Sequence, residues 1–163
     1  MASGRDHDKA TRLWSLPFGL ILGLLLNPAN GLIGGFAFAI GGLWLSPDLD
    51  TQSRALKRWG ILKTLWWPYR KLIPHRSVFS HGPLIGTALR LAYLMVWCSL
   101  MLLILQPLGL PTPLNMAQTL IALLKREPQA AWALLLGLEA SVWLHLIQDG
   151  DPLPVEWQRW RHR

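Results

Sequence analysis

Four apolar runs dominate the hydrophobic pattern of this chain, at residues 13–26, 32–45, 84–105 and 130–147. The third and fourth runs hold 22 and 18 residues, enough to cross the roughly 30 Å hydrocarbon core of a membrane at about 1.5 Å per helical residue. The first two hold only 14 residues each. They predict either short spans or a shallow hairpin turning at residues 27–31, and both geometries return the chain to its starting side.

Prolines and glycines between the runs predict where four apolar helices begin and end. The first two are expected at about residues 8–26 and 31–45, the second ending before Pro47 because the residue preceding a proline is disfavoured in a helix. The third should begin near Gly82 and Pro83. The fourth should run from about Pro128 to Asp149, where Gly150 can adopt the left-handed conformation that ends a helix.

Shorter segments between the long runs also have helical periodicity. Leu62, Leu65, Trp66 and Tyr69 are spaced as on one helix face, which predicts an interfacial helix over residues 54–73, interrupted near Pro68. Residues 113–124 predict a short amphipathic surface helix. The pattern therefore predicts an all-α protein of one domain, residues 1–163, with no internal repeat.

Composition and charge favour an integral membrane protein. The chain is 52% apolar with a mean hydropathy of +0.28, which is high for a soluble protein. Thirteen Lys and Arg residues lie before the first run, at residues 46–83 or after the fourth run, against only Lys125 and Arg126 on the other side. This asymmetry predicts both termini and residues 46–83 in the cytoplasm, in a plasma or thylakoid membrane.

The net charge of +7 is explained by this topology and by contact with anionic lipid headgroups. The chain contains no nucleic-acid-binding motif, so membrane lipids are the predicted partners and nucleic acid is not. A cleaved signal peptide is the alternative for the first run. Asp6 and Asp8 reduce the positive charge of the segment before the first run, and no Ala-x-Ala cleavage site follows the run. Both features argue against cleavage.

Potential metal ligands form four short clusters, each beside or at the end of an apolar run and never in the middle of one. If the runs fold back and forth across a membrane, all four clusters reach the same side and can form a single site. The clusters are His7; Asp48 and Asp50; His75 and His81; and His145 and Asp149.

Each cluster also has a simpler explanation. His145 and Asp149 are four residues apart on one helix face and can share an ion, but such pairs are commonly hydrogen-bonded partners. Asp48 and Asp50 would repel each other without a cation between them, although Asp50 could cap the next helix with Ser53.

His75 and His81 are six residues apart. A regular helix would place them about 240° apart, so joint ligation requires a non-helical segment, which Pro74 and Pro83 favour. Interfacial packing is the alternative for each histidine. Arg76 offers a planar guanidinium to a phosphate or carboxylate, or else to lipid headgroups.

The number of candidate ligands predicts two ions rather than one. Four imidazoles and three carboxylates exceed the four ligands of a tetrahedral zinc site and suit two ions that share a carboxylate. Because no thiolate is available, the mixed nitrogen and oxygen ligands permit zinc, manganese or iron without selecting one. Zinc is the ion that we expect.

Arg90 and Glu139 lie inside apolar runs. Counted at about 1.5 Å per residue, both should lie at the same depth, so a buried ion pair between them is predicted. Deep within the apolar runs, the polar groups are these two residues together with Ser99 and Ser141. That is too few for an ion path, and a metal transporter is disfavoured.

The residue order resembles that of a family of small cyanobacterial metal-binding membrane proteins of unassigned function. It is also similar to the YdjM group of inner-membrane metal-dependent hydrolases and, more remotely, to the all-helical superfamily of zinc-dependent phospholipase C and P1 nuclease. The matching segments are residues 3–8, Ser46-Pro47-Asp48-Leu49-Asp50, residues 75–81 and residues 145–149.

The resemblance implies one ion held by Asp48, His75 or His81, His145 and Asp149, and a second near His7 and Asp50. It further implies hydrolysis of phosphoesters, including those of lipids, with Asp50 as a base and Arg76 holding the anion. Glu156 and His162 lie in a short basic tail and do not match the superfamily's third-ion ligands. The alternative function is non-catalytic metal binding or metal delivery.

Overall fold

The computed structural model describes residues 2–150, and within this range every regular element is helical, as expected. Glu156 and His162 lie outside the described residues. The α-helices are α1 (Gly4–Leu25), α2 (Pro28–Leu43), α3 (Arg54–Arg58), α4 (Trp67–Leu72), α5 (Val78–His81), α6 (Ile85–Leu105), α7 (Pro113–Arg126) and α8 (Pro128–Gln148), and 3-10 helices occupy Pro47–Asp50, Gly60–Trp66 and Gln106–Leu108.

Helices α1 and α2 form the expected hairpin, but both begin earlier than predicted. Ser3 caps α1 by accepting a hydrogen bond from the Asp6 amide, and the Asp6 carboxylate accepts one from the Ser3 amide. This reciprocal cap starts the helix at Gly4 and places His7 within it. Asn27 caps α2 by accepting a hydrogen bond from the Asn30 amide, and Pro28 lies in the first turn, where proline is tolerated.

Glycine allows the long helices to pack with their backbones close together. A Cβ atom added to Gly31 of α2 would lie 2.6 Å from both the Gly19 carbonyl oxygen and the Gly23 Cα of α1. On the other side of α2, a Cβ added to Gly137 of α8 would overlap the Gly34 carbonyl oxygen. The α1–α2–α8 layer therefore depends on small residues, as helix packing within membranes commonly does.

The predicted interfacial helix over residues 54–73 is instead three short pieces. The expected interruption near Pro68 is present, since a 3-10 helix ends at Trp66 and α4 begins at Trp67. A second break, which was not predicted, lies at Gly60, which adopts a positive φ of 56°. Glycine adopts this conformation without steric penalty, so it ends α3 early. The pieces fold onto a core that contains Leu49, Leu56, Trp66 and Tyr69.

Helix α6 begins at Ile85, later than predicted, because Val78–His81 forms a separate helical turn. The predicted Arg90–Glu139 ion pair is wrong. Glu139 accepts hydrogen bonds from the Leu84 amide at 2.9 Å and from the Thr87 hydroxyl at 2.8 Å. Arg90 donates to the Ser80 carbonyl and to Thr87 Oγ1. Glu139 thus meets α6 about one turn below Arg90, and Thr87 bridges the two charges.

Three segments of the described chain are long and apolar enough to cross a membrane: Pro28–Asp50, Ile85–Leu108 and Pro128–Gln148. Helix α1 is not among them. Helix α7 is the predicted surface helix, with no buried residue. Helix α8 ends as predicted, and Gly150 follows with a φ of 77°.

Candidate metal centre

All seven predicted ligands lie close together at one end of the α1–α2–α8 layer. His7 comes from the start of α1, and the 3-10 turn after α2 supplies two aspartates. His75 precedes α5, His81 is the last residue of α5, and the end of α8 supplies the last pair. Their potential ligand atoms form three groups, each within 4.8 Å: His7, Asp48 and His145; Asp50, His75 and His81; and His81, His145 and Asp149.

The first ion position, as we define it, lies among Asp48, His81, His145 and Asp149. Asp48 Oδ1 is 3.7 Å from His81 Nε2 and 3.6 Å from His145 Nε2. His145 Nε2 is in turn 3.7 Å from Asp149 Oδ2. The His7 ring stacks on the His145 ring with centroids 4.0 Å apart, which brings a third imidazole to this position.

The second ion position lies at Asp50 and His75, and this edge is the more exposed one. His75 Nδ1 is 3.0 Å from Asp50 Oδ1, and His81 Nδ1 is 3.6 Å from Asp50 Oδ2. The His75 side chain is 44% exposed, whereas that of Asp50 is 0% exposed. A small molecule could therefore approach from the His75 side.

The polar atoms at the first position are arranged as a cation would require. Within residues 2–150, the buried Nε2 atoms of His81 and His145 have no hydrogen-bond partner, and both side chains are only 4% exposed. Buried polar atoms without partners are costly. A divalent cation between these nitrogens and the facing carboxylates would satisfy both, so the residues present fit a metal ion.

Local sequence explains why the aspartates and histidines converge. Pro47 ends the α2 segment, and the Ser46 hydroxyl accepts a hydrogen bond from the Asp48 amide, which tightens the turn. Ser77 caps α5 through the Ser80 amide, so His75 lies outside the helix. Its ring centroid is 5.1 Å from that of His81. The expected non-helical segment is therefore residues 75–77.

Arg76 has a strained backbone beside the site. Its φ is 60°, a left-handed conformation that non-glycine residues rarely adopt, and its guanidinium is 3.5 Å from Asp149 Oδ2. Strain of this kind persists where surrounding contacts enforce it, often at functional sites. Arg76 is partly exposed, so it can contact both a metal-binding carboxylate and an arriving anion.

A second charged cluster ties α1 to α3 next to the site. Asp8 accepts from Arg54 Nε at 2.7 Å and pairs with Arg58, and Arg58 also donates to the Leu43 carbonyl at 2.7 Å. Burial alone would raise the pKa of Asp8, but the two guanidinium groups outweigh it and hold the pKa below its ordinary value. This ionised aspartate fixes the helical turn that carries His7.

Two residues that touch the ligands were not predicted to do so. Gln148 Oε1 lies 2.9 Å from His7 Nδ1, and Ser80 Oγ lies 3.0 Å from His81 Nδ1. Each is adjacent in sequence to a predicted ligand, but a lone amide or hydroxyl carries no recognisable signal. The alternative that Asp50 caps the next helix is wrong, because the Ser53 side chain caps α3.

The fold and the site together define a helical protein with converging histidine and aspartate ligands for metal. A family model described as "Uncharacterized metal-binding protein (DUF2227)" matches residues 2–161, and the chain belongs to this family. A protein of Aquifex aeolicus (strain VF5), described only as uncharacterized, is 41% identical over 61 residues, covering 37% of this chain and 43% of that protein. No solved structure is significantly similar to the chain.

Proposed function

We propose that this protein is a membrane-bound, metal-dependent hydrolase of phosphoesters with a two-ion histidine and aspartate site. The observation that carries the proposal is the convergence of seven ligands from four segments, including buried imidazole nitrogens without hydrogen-bond partners. A structural zinc site needs only four ligands. The surplus, together with the more exposed edge at His75, favours a reactive site over a purely structural one.

Charge favours an anionic substrate. The three carboxylates contribute three negative charges, and two divalent ions would contribute four positive ones. The loaded site would therefore be positive, and Arg76 beside it adds another charge. A positive, partly enclosed site of this kind attracts phosphate esters. Zinc is the ion that we favour for this ligand set, over manganese or iron.

The chain's own groups suit roles in hydrolysis. A bound divalent ion would supply Lewis acidity and lower the pKa of a water molecule. Asp50 can accept a proton from that water, and His75 Nδ1, 3.0 Å from Asp50 Oδ1, can orient the carboxylate by donating a hydrogen bond to it. Arg76 can hold the phosphate oxygens with its planar guanidinium. The hydrolase assignment also draws on the resemblance of the motif order to the YdjM group.

We further propose that the protein is an integral membrane protein with the site at the cytoplasmic face. The three apolar segments and the Lys and Arg asymmetry support this location. A site at the membrane surface could reach phosphoesters in lipid headgroups. Burial of the imidazoles at the first position favours the alternative, a non-catalytic metal-binding or metal-delivery protein.

Elemental analysis of detergent-purified protein tests the metal site. We expect bound metal in the wild type, and loss of most of it in Asp48→Ala and His145→Ala because each removes a donor from the first position. Glu127→Ala is the matched control, since Glu127 pairs only with the exposed Arg126 among the described charges. Unchanged metal content in both site variants would refute the site.

Hydrolysis of a model phosphodiester and of phospholipid vesicles then separates the two functions. The hydrolase proposal predicts activity that the metal-loaded wild type shows and Asp50→Asn lacks. Arg76→Met should raise KM for the anion more than Arg76→Lys, which keeps the charge. Metal-loaded protein without activity on either substrate would instead support the non-catalytic alternative.

A further inference from the structure

We propose that Ser80 and Gln148 are positioning residues that fix the tautomers of His81 and His7, so that both rings present Nε2 to the first ion position. This inference rests on the metal site proposed above and concerns which nitrogen of each histidine ring can bind the metal. A neutral imidazole has one N–H and one lone pair, and only the lone pair binds a metal. The partner of the opposite nitrogen therefore selects the ligand atom.

Gln148 fixes the His7 ring. Its amide oxygen lies 2.9 Å from His7 Nδ1 and can only accept, so Nδ1 carries the proton. The lone pair is then on Nε2, which lies 3.2 Å from Asp149 Oδ1. Two electron-rich atoms at this distance repel unless a cation or a proton lies between them. The geometry thus directs His7 toward an ion shared with Asp149.

Ser80 fixes the His81 ring by a parallel arrangement. Its hydroxyl oxygen lies 3.0 Å from both His81 Nδ1 and the Pro74 carbonyl oxygen. A carbonyl can only accept and a hydroxyl has one proton, so Ser80 donates to Pro74 and accepts from His81 Nδ1–H. The remaining Nε2 of His81 is one of the buried atoms that have no hydrogen-bond partner in the described structure.

These assignments make the two ion positions unequal. The first position receives Nε2 of His7 and His81, with His145, Asp48 and Asp149 completing it. His81 cannot bind an ion at the second position, because its Nδ1 carries the proton that it donates to Ser80. That position retains Asp50 and His75 alone among the candidate ligands in residues 2–150, so a second ion would bind more weakly than the first.

Nitrogen-15 NMR of the histidine rings in metal-free, detergent-solubilised protein tests the tautomers directly. At a pH where the rings are neutral, we expect His7 and His81 in the wild type to carry the proton on Nδ1. Ser80→Ala should reduce this preference for His81, and Gln148→Leu should reduce it for His7. A wild type with the proton on Nε2 of both rings would overturn the inference.

Zinc titration against a competing chelator provides the second readout. Gln148→Leu and Ser80→Ala should each bind the first zinc roughly 10- to 100-fold more weakly, the usual loss when a group that orients a metal-binding histidine is removed. Gln148→Glu keeps an acceptor oxygen and should bind like the wild type. Gln129→Leu is the matched control, because Gln129 bonds Asn27 and Asn30 at the opposite end of α8.

The outcomes separate this inference from the metal site itself. If the wild type binds zinc and Gln148→Leu binds it equally well, the positioning role is wrong although the site stands. If the wild type binds no zinc, the metal site is wrong, and the positioning role falls with it. Because Ser80 is fully buried, the Gln148 variants at the end of α8 provide a test that does not depend on how Ser80→Ala folds.

Discussion

Replacing Gly137 by alanine should loosen the contact between α2 and α8 that holds His145 in place. The new Cβ would overlap the Gly34 carbonyl oxygen and lie 2.8 Å from Ala37 Cβ and 3.0 Å from the Phe38 amide nitrogen. Most of these neighbours are backbone atoms, so the helices must separate. Overpacking of this kind costs about 1–3 kcal/mol, while alanine recovers about 0.5–1 kcal/mol of helix propensity.

Because the overlap is with a backbone carbonyl, we expect the upper part of this cost, about 2–3 kcal/mol. The net loss for Gly137→Ala is then about 1–2.5 kcal/mol, or roughly a 2–10 °C lower Tm for a chain of this size. The assay is thermal unfolding in detergent followed by circular dichroism. Gly23→Ala is the matched control, since its Cβ would meet the Gly31 Cα at 3.6 Å, an ordinary contact. That variant should unfold at or slightly above the wild-type Tm. Equal Tm values for the two variants would refute the packing argument.

Two further predictions concern charge and topology. Arg58→Met should lower the free energy of unfolding by about 2 kcal/mol, because buried Asp8 would keep only Arg54 as a partner. The control Arg126→Met, which removes an exposed ion pair, should change this free energy by less than about 0.5 kcal/mol. Chemical denaturation measures both effects. Reporter tags at the two ends of the chain should report the same side, because His7 contacts Gln148, and the Lys and Arg asymmetry predicts that this side is the cytoplasm. One tag outside would exclude the proposed topology.

The convergence of the candidate ligands could be predicted from the number of apolar helices between them. His7 and Asp149 are 142 residues apart and yet within 3.2 Å, as expected if four apolar helices leave and return to one side. The pattern of apolar runs predicts this convergence, because it predicts that successive helices run in opposite directions. It does not report which atoms touch, so the roles of Gln148 and Ser80 could not be predicted.

The errors have local causes. Counting along the helices placed Arg90 level with Glu139, but Val78–His81 is a separate helical turn and α6 begins only at Ile85. Glu139 accepts hydrogen bonds from Leu84 and Thr87 instead, about one helical turn away from Arg90. The periodicity of residues 54–73 could not show that Gly60 would adopt a positive φ and break the helix. Both features depend on single residues rather than on the repeat of apolar positions.

Donors from both ends of the described chain meet in one place, and this has a consequence for biogenesis. His7 is synthesised well before His145 and Asp149, so a nascent chain arrested before α8 lacks two of the converging donors. The complete first ion position can therefore form only after α8 has been synthesised and has packed beside α1 and α2. Full metal affinity at this position would thus report that the helices have assembled.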